Sequence, residues 1–254
     1  FKTLTIDKFI SKIYYINLDE KKDRKIMIEN QLKKVGALNY ERFSAVKPIF
    51  NNKYDKDFIN DQIEKFLNNE KIVDDLILNI NSKYISKFSK NYIKSKKNIE
   101  DKKKYILGAL GCKMSHLKII NDAYKNNYDN IIILEDDAIL HENFNNYLKN
   151  LELNIKEYNN YDMIWLAPNW LFKDNDGILN RCHSYKYIND TLGWVNPYIS
   201  VDGNYGSTSS TGGQILSYKC IKYILEIFEN SEQNEIDLWY RNNIQKNGNV
   251  YTTI

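Results

Sequence analysis

The sequence predicts an α/β fold with a mainly parallel central sheet, and three features carry that reading. The chain opens with a strand, a helix and a second strand in direct succession, the order that favours parallel pairing. Residues Ile131, Ile132, Ile133 and Leu134 form an unbroken apolar run, as expected of a strand buried on both faces. Helix-like and strand-like stretches then alternate toward the C-terminus, and 254 residues supply ample material for one large domain.

Lys12 to Leu18 reads as the first strand. A charged helix follows, with Ile28, Leu32 and Val35 at helical spacing and Gly36 as its stop. Tyr40 to Val46 is the second strand. Residues 50–104 break the rhythm with two amphipathic stretches, one from Phe58 to Leu67 and one from Ile72 to Ile80, before a lysine-rich segment from Lys83 to Lys104. They predict a helical insertion, with the lysines on a solvated face or linker. The main domain resumes as a helix over 108–125, with Met114, Leu117, Ile120 and Tyr124 on one face. After the apolar strand come a helix over 139–148 and a strand over 161–167. Residues 168–213 read as a long loop holding Trp170, Trp194, Tyr198 and Tyr205, aromatics that suit sugar rings or the core equally well. A helix over 218–230, a short helix over 236–245 and a strand over 249–254 complete the pattern. The chain starts without Met and stops inside a strand, so it reads as a fragment of a longer protein with room for a neighbouring domain.

Thirty-six basic and 33 acidic residues leave a net charge of +3, too little for nucleic acid to be the main partner. Cys112, Cys182 and Cys220 have neither a closed disulfide framework nor metal-finger spacing, and read as small packing residues. No apolar run is long enough to span a bilayer, and no signal-peptide pattern is present.

The apolar strand runs directly into Glu135, Asp136 and Asp137. In open α/β sheets the carboxyl ends of the strands are where ligands bind. Three adjacent carboxylates repel one another, so a divalent cation beside a phosphorylated ligand is a natural compensation. The plainer alternative is that the trio caps the first turn of the next helix.

Four segments in order, Tyr15–Arg24, Gly108–His116, Ile132–Asp137 and Ser210–Ser217, give the chain its resemblance to glycosyltransferase family 25, over most of its length outside 50–104. That family includes lipooligosaccharide sugar transferases and procollagen hydroxylysine glycosyltransferases. The resemblance implies a GT-A type Rossmann-like domain that binds a nucleotide-sugar and a divalent metal and inverts the sugar carbon. Glu135 and Asp137 would then hold Mn²⁺ or Mg²⁺, the hard ions that carboxylates suit, and Asp136 would bind ribose or metal. Asn17, Leu18, Asp19 and Arg24 would line the nucleotide site. Val46 matches the segment after the second strand, where Lys47 replaces the family's usual acidic residue. Ser115 and His116 match a Ser-His pair that would reach a phosphate or orient a carboxylate. Thr211, Gly212 and Gly213, with Trp194, would face the donor sugar or the acceptor. Asp237 would be the base that takes the acceptor proton, with Glu235 as second choice.

The implied activity is transfer of glucose or galactose from a UDP-sugar to a hydroxyl, on a collagen-like hydroxylysine or its galactosyl derivative, or on a glycan. A catalytically silent module that only binds sugar or nucleotide is the alternative. The insertion would serve as a lid over the donor or as a docking surface.

Overall fold

Lys12–Asn17 (β1), Lys22–Lys34 (α1) and Tyr40–Ser44 (β2) form the expected β-α-β unit, with β1 and β2 parallel. Ile28 and Leu32 are fully buried, and Gly36 ends the turn with φ +72°. That is the left-handed conformation glycine adopts at no steric cost. This computed structural model describes residues 9–68, 70–89, 93, 95–155, 160–166, 171–173, 179–181, 185–187, 192–195, 212–230, 233–246 and 248–253.

The insertion is only partly helical. Ile49–Phe50 (β3) pairs antiparallel with Ile77–Leu78 (β4), and Lys56–Leu67 (α2) lies between them. The stretch expected as a second helix over 72–80 is instead turn and strand, because Leu76 O accepts from Asn51 N. Ile59, Ile63, Leu76 and Ile77 pack on Ile106 and Leu110, so the insertion shares a small core with the helix that follows it. That helix, Ile99–Lys125 (α3), starts nine residues before 108, at an Asn98 cap whose side chain accepts from Asp101 N.

Asn130–Glu135 (β5) pairs parallel with β1. Its side chains alternate as the pleat requires. Ile131 and Ile133 join one core with Met114 and Ile120 of α3, while Ile132 and Leu134 join another with Ile28 and Leu32 of α1. The next helix, Phe144–Ile155 (α4), begins seven residues after Asp137 and carries no acidic residue in its first turn. The helix-capping role for the three carboxylates therefore fails.

Met163–Trp165 (β6) follows, and within the region read as loop lie four short strands, Leu171–Lys173 (β7), Leu179–Arg181 (β8), Tyr185–Tyr187 (β9) and Leu192–Val195 (β10). Gly213–Ser217 (β11), Tyr218–Ile227 (α5), Ile236–Trp239 (α6) and Val250–Thr253 (β12) complete the chain, with residues 240–245 continuing α6 as a wider helical turn. The main sheet has the order β2-β1-β5-β11-β6-β12-β10-β9. Six of its strands point one way, and β11 and β10 run against them. This is the Rossmann-like GT-A type α/β arrangement the sequence led us to expect. Among the described residues no helix is long and apolar enough to cross a membrane.

Candidate active site

The carboxyl ends of β2, β1 and β5 open into a cleft of about 450 Å³, closed on its other side by α3. Leu18, Arg24, Val46, Ser115, Glu135, Asp136 and Asp137, all singled out from the sequence, line it. They are assembled by a polar frame beneath the cleft. Asn17 is buried and donates through Nδ2 to Asp136 Oδ2 at 2.7 Å and to Lys21 O at 3.0 Å. Its Oδ1 accepts from Arg42 Nε at 2.9 Å. Arg24 Nη1 then donates to Asp136 Oδ1 at 3.0 Å and, more weakly, to Asp137 Oδ2 at 3.3 Å. Those carboxylates raise the Arg24 pKa further, chiefly through the Asp136 hydrogen bond. The structure thus gives the Arg24 side chain to the β5 carboxylates.

Ser115 spans two elements. Its Oγ donates to Gly111 O at 2.7 Å and accepts from Val46 N at 2.8 Å, which pins the segment after β2 to α3. Asp19 stands outside the cleft lining, paired with Arg42 and accepting from Ser44 Oγ at 2.8 Å. These two donors hold its pKa below the usual carboxylate range, the Arg42 contact most of all.

His116 lies fully buried behind the cleft wall. Its Nδ1 is 3.1 Å from both Tyr240 Oη and Gln214 Nε2, and Nε2 has no partner. Burial pulls its pKa down to about 3, so the imidazole is neutral. A ring nitrogen of His116, Cys112 Sγ and a carboxylate oxygen of Glu135 lie within 4.8 Å of one another, the Cys112 Sγ to Glu135 Oε1 distance being 3.8 Å.

Glu135 is further tied to the strand beside it, its N–H donating to Gly212 O at 3.4 Å. Gly213 sits inside the sheet opposite Leu134, and an added Cβ would lie 3.1 Å from Leu134 Cδ2 and 3.4 Å from Leu166 Cβ. Its smallness is thus used by packing. Thr211 falls outside the described residues, and Trp194 is placed by its backbone, paired with Tyr251.

Neither Asp237 nor Glu235 borders the cleft. Glu235 is buried. Its Oε1 accepts from Ser89 N at 2.9 Å and Tyr105 Oη at 2.6 Å, and Oε2 accepts from Gln233 Nε2. Asp237 is half-buried, accepts from Leu238 N at 2.8 Å, and has its pKa raised mainly by that burial.

Four cations, Lys21, Arg24, Lys47 and Lys104, also border the cleft. Lys47 pairs with Glu20, which is how this chain uses the basic residue it carries there. Lys104 had been assigned to a solvated run. The signal that identifies it is helical spacing: positions 104, 108, 112 and 115 share one face of α3.

Hard oxygen donors at Glu135 and Asp137 suit a divalent cation, and the half-exposed Asp137 carboxylate, held among the described residues only by the longer Arg24 contact, can turn to one. The cleft therefore offers donors for a metal and cations for a phosphorylated ligand. A family described as glycosyltransferase family 25 (LPS biosynthesis protein) matches residues 10–239. No curated protein matches the chain.

Proposed function

The chain belongs to glycosyltransferase family 25, and from that premise we propose that it moves glucose or galactose from a UDP-sugar to a hydroxyl group, with inversion at the sugar carbon. The acceptor hydroxyl belongs to a collagen-like hydroxylysine or its galactosyl derivative, or to a glycan. The observation that supports this reading best is one cleft, at the carboxyl ends of three parallel strands, lined by Glu135, Asp136 and Asp137 and by four cationic side chains.

Ile16, Leu18 and Val46 provide an apolar wall for the base. Arg24, already oriented by Asp136, and the lysines at 21, 47 and 104 face the negative charge of the diphosphate. Glu135 and Asp137 would hold Mn²⁺ or Mg²⁺, which would neutralise the charge of the departing diphosphate. Asp136, fixed by Asn17 and Arg24, is left to accept from ribose. Asp237 would take the acceptor proton, its raised pKa making it a stronger base than an ordinary carboxylate; because it stands outside the cleft lining, the acceptor hydroxyl has to meet it from beyond the cleft. Glu235, whose oxygens are occupied, instead fixes the start of the Asp237 helix.

The test is isothermal titration of UDP into the wild type and Asp137→Ala, with Mn²⁺ and with chelator. Metal-dependent binding that the substitution abolishes is expected. A folded wild type that binds no UDP under either condition rejects the UDP-donor reading.

A further inference from the structure

Cys112 and His116 stand one helical turn apart on α3 and meet Glu135 at the end of β5. We propose that these three side chains form a binding site for a borderline-soft divalent metal of the zinc class, set into the wall of the cleft. The site shares Glu135 with the pair assigned to Mn²⁺ or Mg²⁺ but takes its other two ligands from α3, and it does not depend on the transfer reading.

Four observations support it. First, the spacing is right: a tetrahedral ion with S and O ligands at ordinary lengths sets those atoms about 3.5 Å apart, close to the 3.8 Å between Cys112 Sγ and Glu135 Oε1. Second, the charges balance. A thiolate, a carboxylate and a neutral imidazole contribute two negative charges, which cancel a divalent cation where burial penalises any residue of charge.

Third, His116 Nε2 is fully buried and has no hydrogen-bond partner, a cost that coordination removes. Its other nitrogen is already placed: with the proton on Nδ1, the ring donates to Tyr240 Oη at 3.1 Å and leaves the Nε2 lone pair for a metal. Gln214 Oε1 is likewise buried without a partner, and exchanging the two ends of that amide lets it accept from the same Nδ1 proton. One tautomer thus serves both acceptors, and the amide nitrogen takes over the buried position that Oε1 held without a partner. Fourth, there is an entry path, since Cys112 and Glu135 both border the cleft. Three protein ligands leave a fourth position open toward it, the pattern of a site that exchanges water for a ligand. On binding, the sulfur–metal bond replaces the thiol S–H bond and the proton leaves to solvent.

Cobalt(II) titration into metal-free protein tests the site. A thiolate-to-cobalt charge-transfer band at one equivalent is expected. Cys112→Ser should abolish it and weaken competing Zn²⁺ by at least the ~10–100-fold that the loss of an outer-shell partner costs. The band should survive Asp137→Ala, which removes only the harder site. Circular dichroism verifies that each variant is folded. Absence of the band in folded wild type, or its persistence in Cys112→Ser, overturns the proposal and leaves Cys112 and Glu135 as a plain hydrogen-bonded pair.

Discussion

A methyl group added at Gly111 would sit 2.6 Å from Val46 O and 3.0 Å from Pro48 Cδ. Carbon–oxygen contacts normally begin at about 3.3 Å, so backbone would have to yield by roughly 0.7 Å. It cannot do so freely, because Val46 N is held by Ser115 Oγ, whose own donor bond goes to Gly111 O. Gly108, one turn earlier on the same helix, meets nothing within 4 Å at the same construction. Both substitutions gain the helix propensity of alanine over glycine, about 1 kcal/mol. The difference between them therefore isolates the steric cost, about 1–3 kcal/mol for overpacking. We expect Gly108→Ala to be about 1 kcal/mol more stable than wild type. Gly111→Ala should fall below Gly108→Ala by about 1–3 kcal/mol, or roughly 2–10 °C in Tm for a chain of this size. Urea unfolding with fitted slopes, run alongside UDP titration, is the assay. Gly108 lines the cleft, so that variant should bind UDP more weakly while unfolding later. Equal stability of the two variants would refute the argument that absence of a side chain at Gly111 is what lets the segment after β2 cross α3.

Two further outcomes follow from titratable groups. Lys113 is fully buried, donating to Tyr84 O at 3.0 Å and Gln233 O at 2.9 Å, and burial lowers its pKa to about 8. Below that value it is protonated in both folded and unfolded chains; between pH 8 and its ordinary value the unfolded chain binds more protons, so stability rises with pH across that window. Measured against Lys113→Met, the wild type should gain about 3 kcal/mol between pH 7.5 and 10.5, and a flat difference in chemical unfolding would dismiss the shift. Asp237 works as a base only when ionised, so the acidic limb of the transfer rate should rise through a pKa above the usual carboxylate range. Asp237→Asn should lower kcat on the order of 10²–10⁴-fold with UDP affinity retained, and an unchanged kcat would remove Asp237 from the chemistry.

The strands that form the cleft were legible because burial on two faces leaves a continuous apolar run, as in Ile131–Leu134. The start of α4 was not, because a tertiary contact overrides local pattern there. Residues 139–143 read as the first turn of a helix, yet Gln31 of α1 donates to Ala138 O at 3.1 Å and accepts from Leu140 N at 2.8 Å, which holds that segment out of the helix. Residues 72–80 failed similarly, their apolar spacing being spent on β4 and its pairing with β3. In the site, the β5 carboxylates and Arg24 were readable from chain order, but Lys104 was hidden in a charged run, and the Cys112–Glu135 approach joins residues 23 positions apart. Spacing rules written for short metal motifs cannot register it.

The segment from Lys83 to Ser89 is laced to residues 229–235. Lys83 pairs with Glu229, Ser86 N donates to Asn234 Oδ1 at 2.8 Å, Ser89 N reaches Glu235, and Lys113 holds Tyr84 O and Gln233 O together from below. For anyone trimming this protein to a minimal core, the insertion is therefore not a removable cassette. Excising it would take Tyr84 O and Ser86 Oγ from Lys113 and Ser89 N from Glu235, leaving an ammonium group and a carboxylate with fewer partners in a freshly opened wall beside the helix that carries Asp237. A shortened version has to replace both in the same step, and a failed simple deletion would report this stitching rather than any duty of the insertion as lid or docking surface.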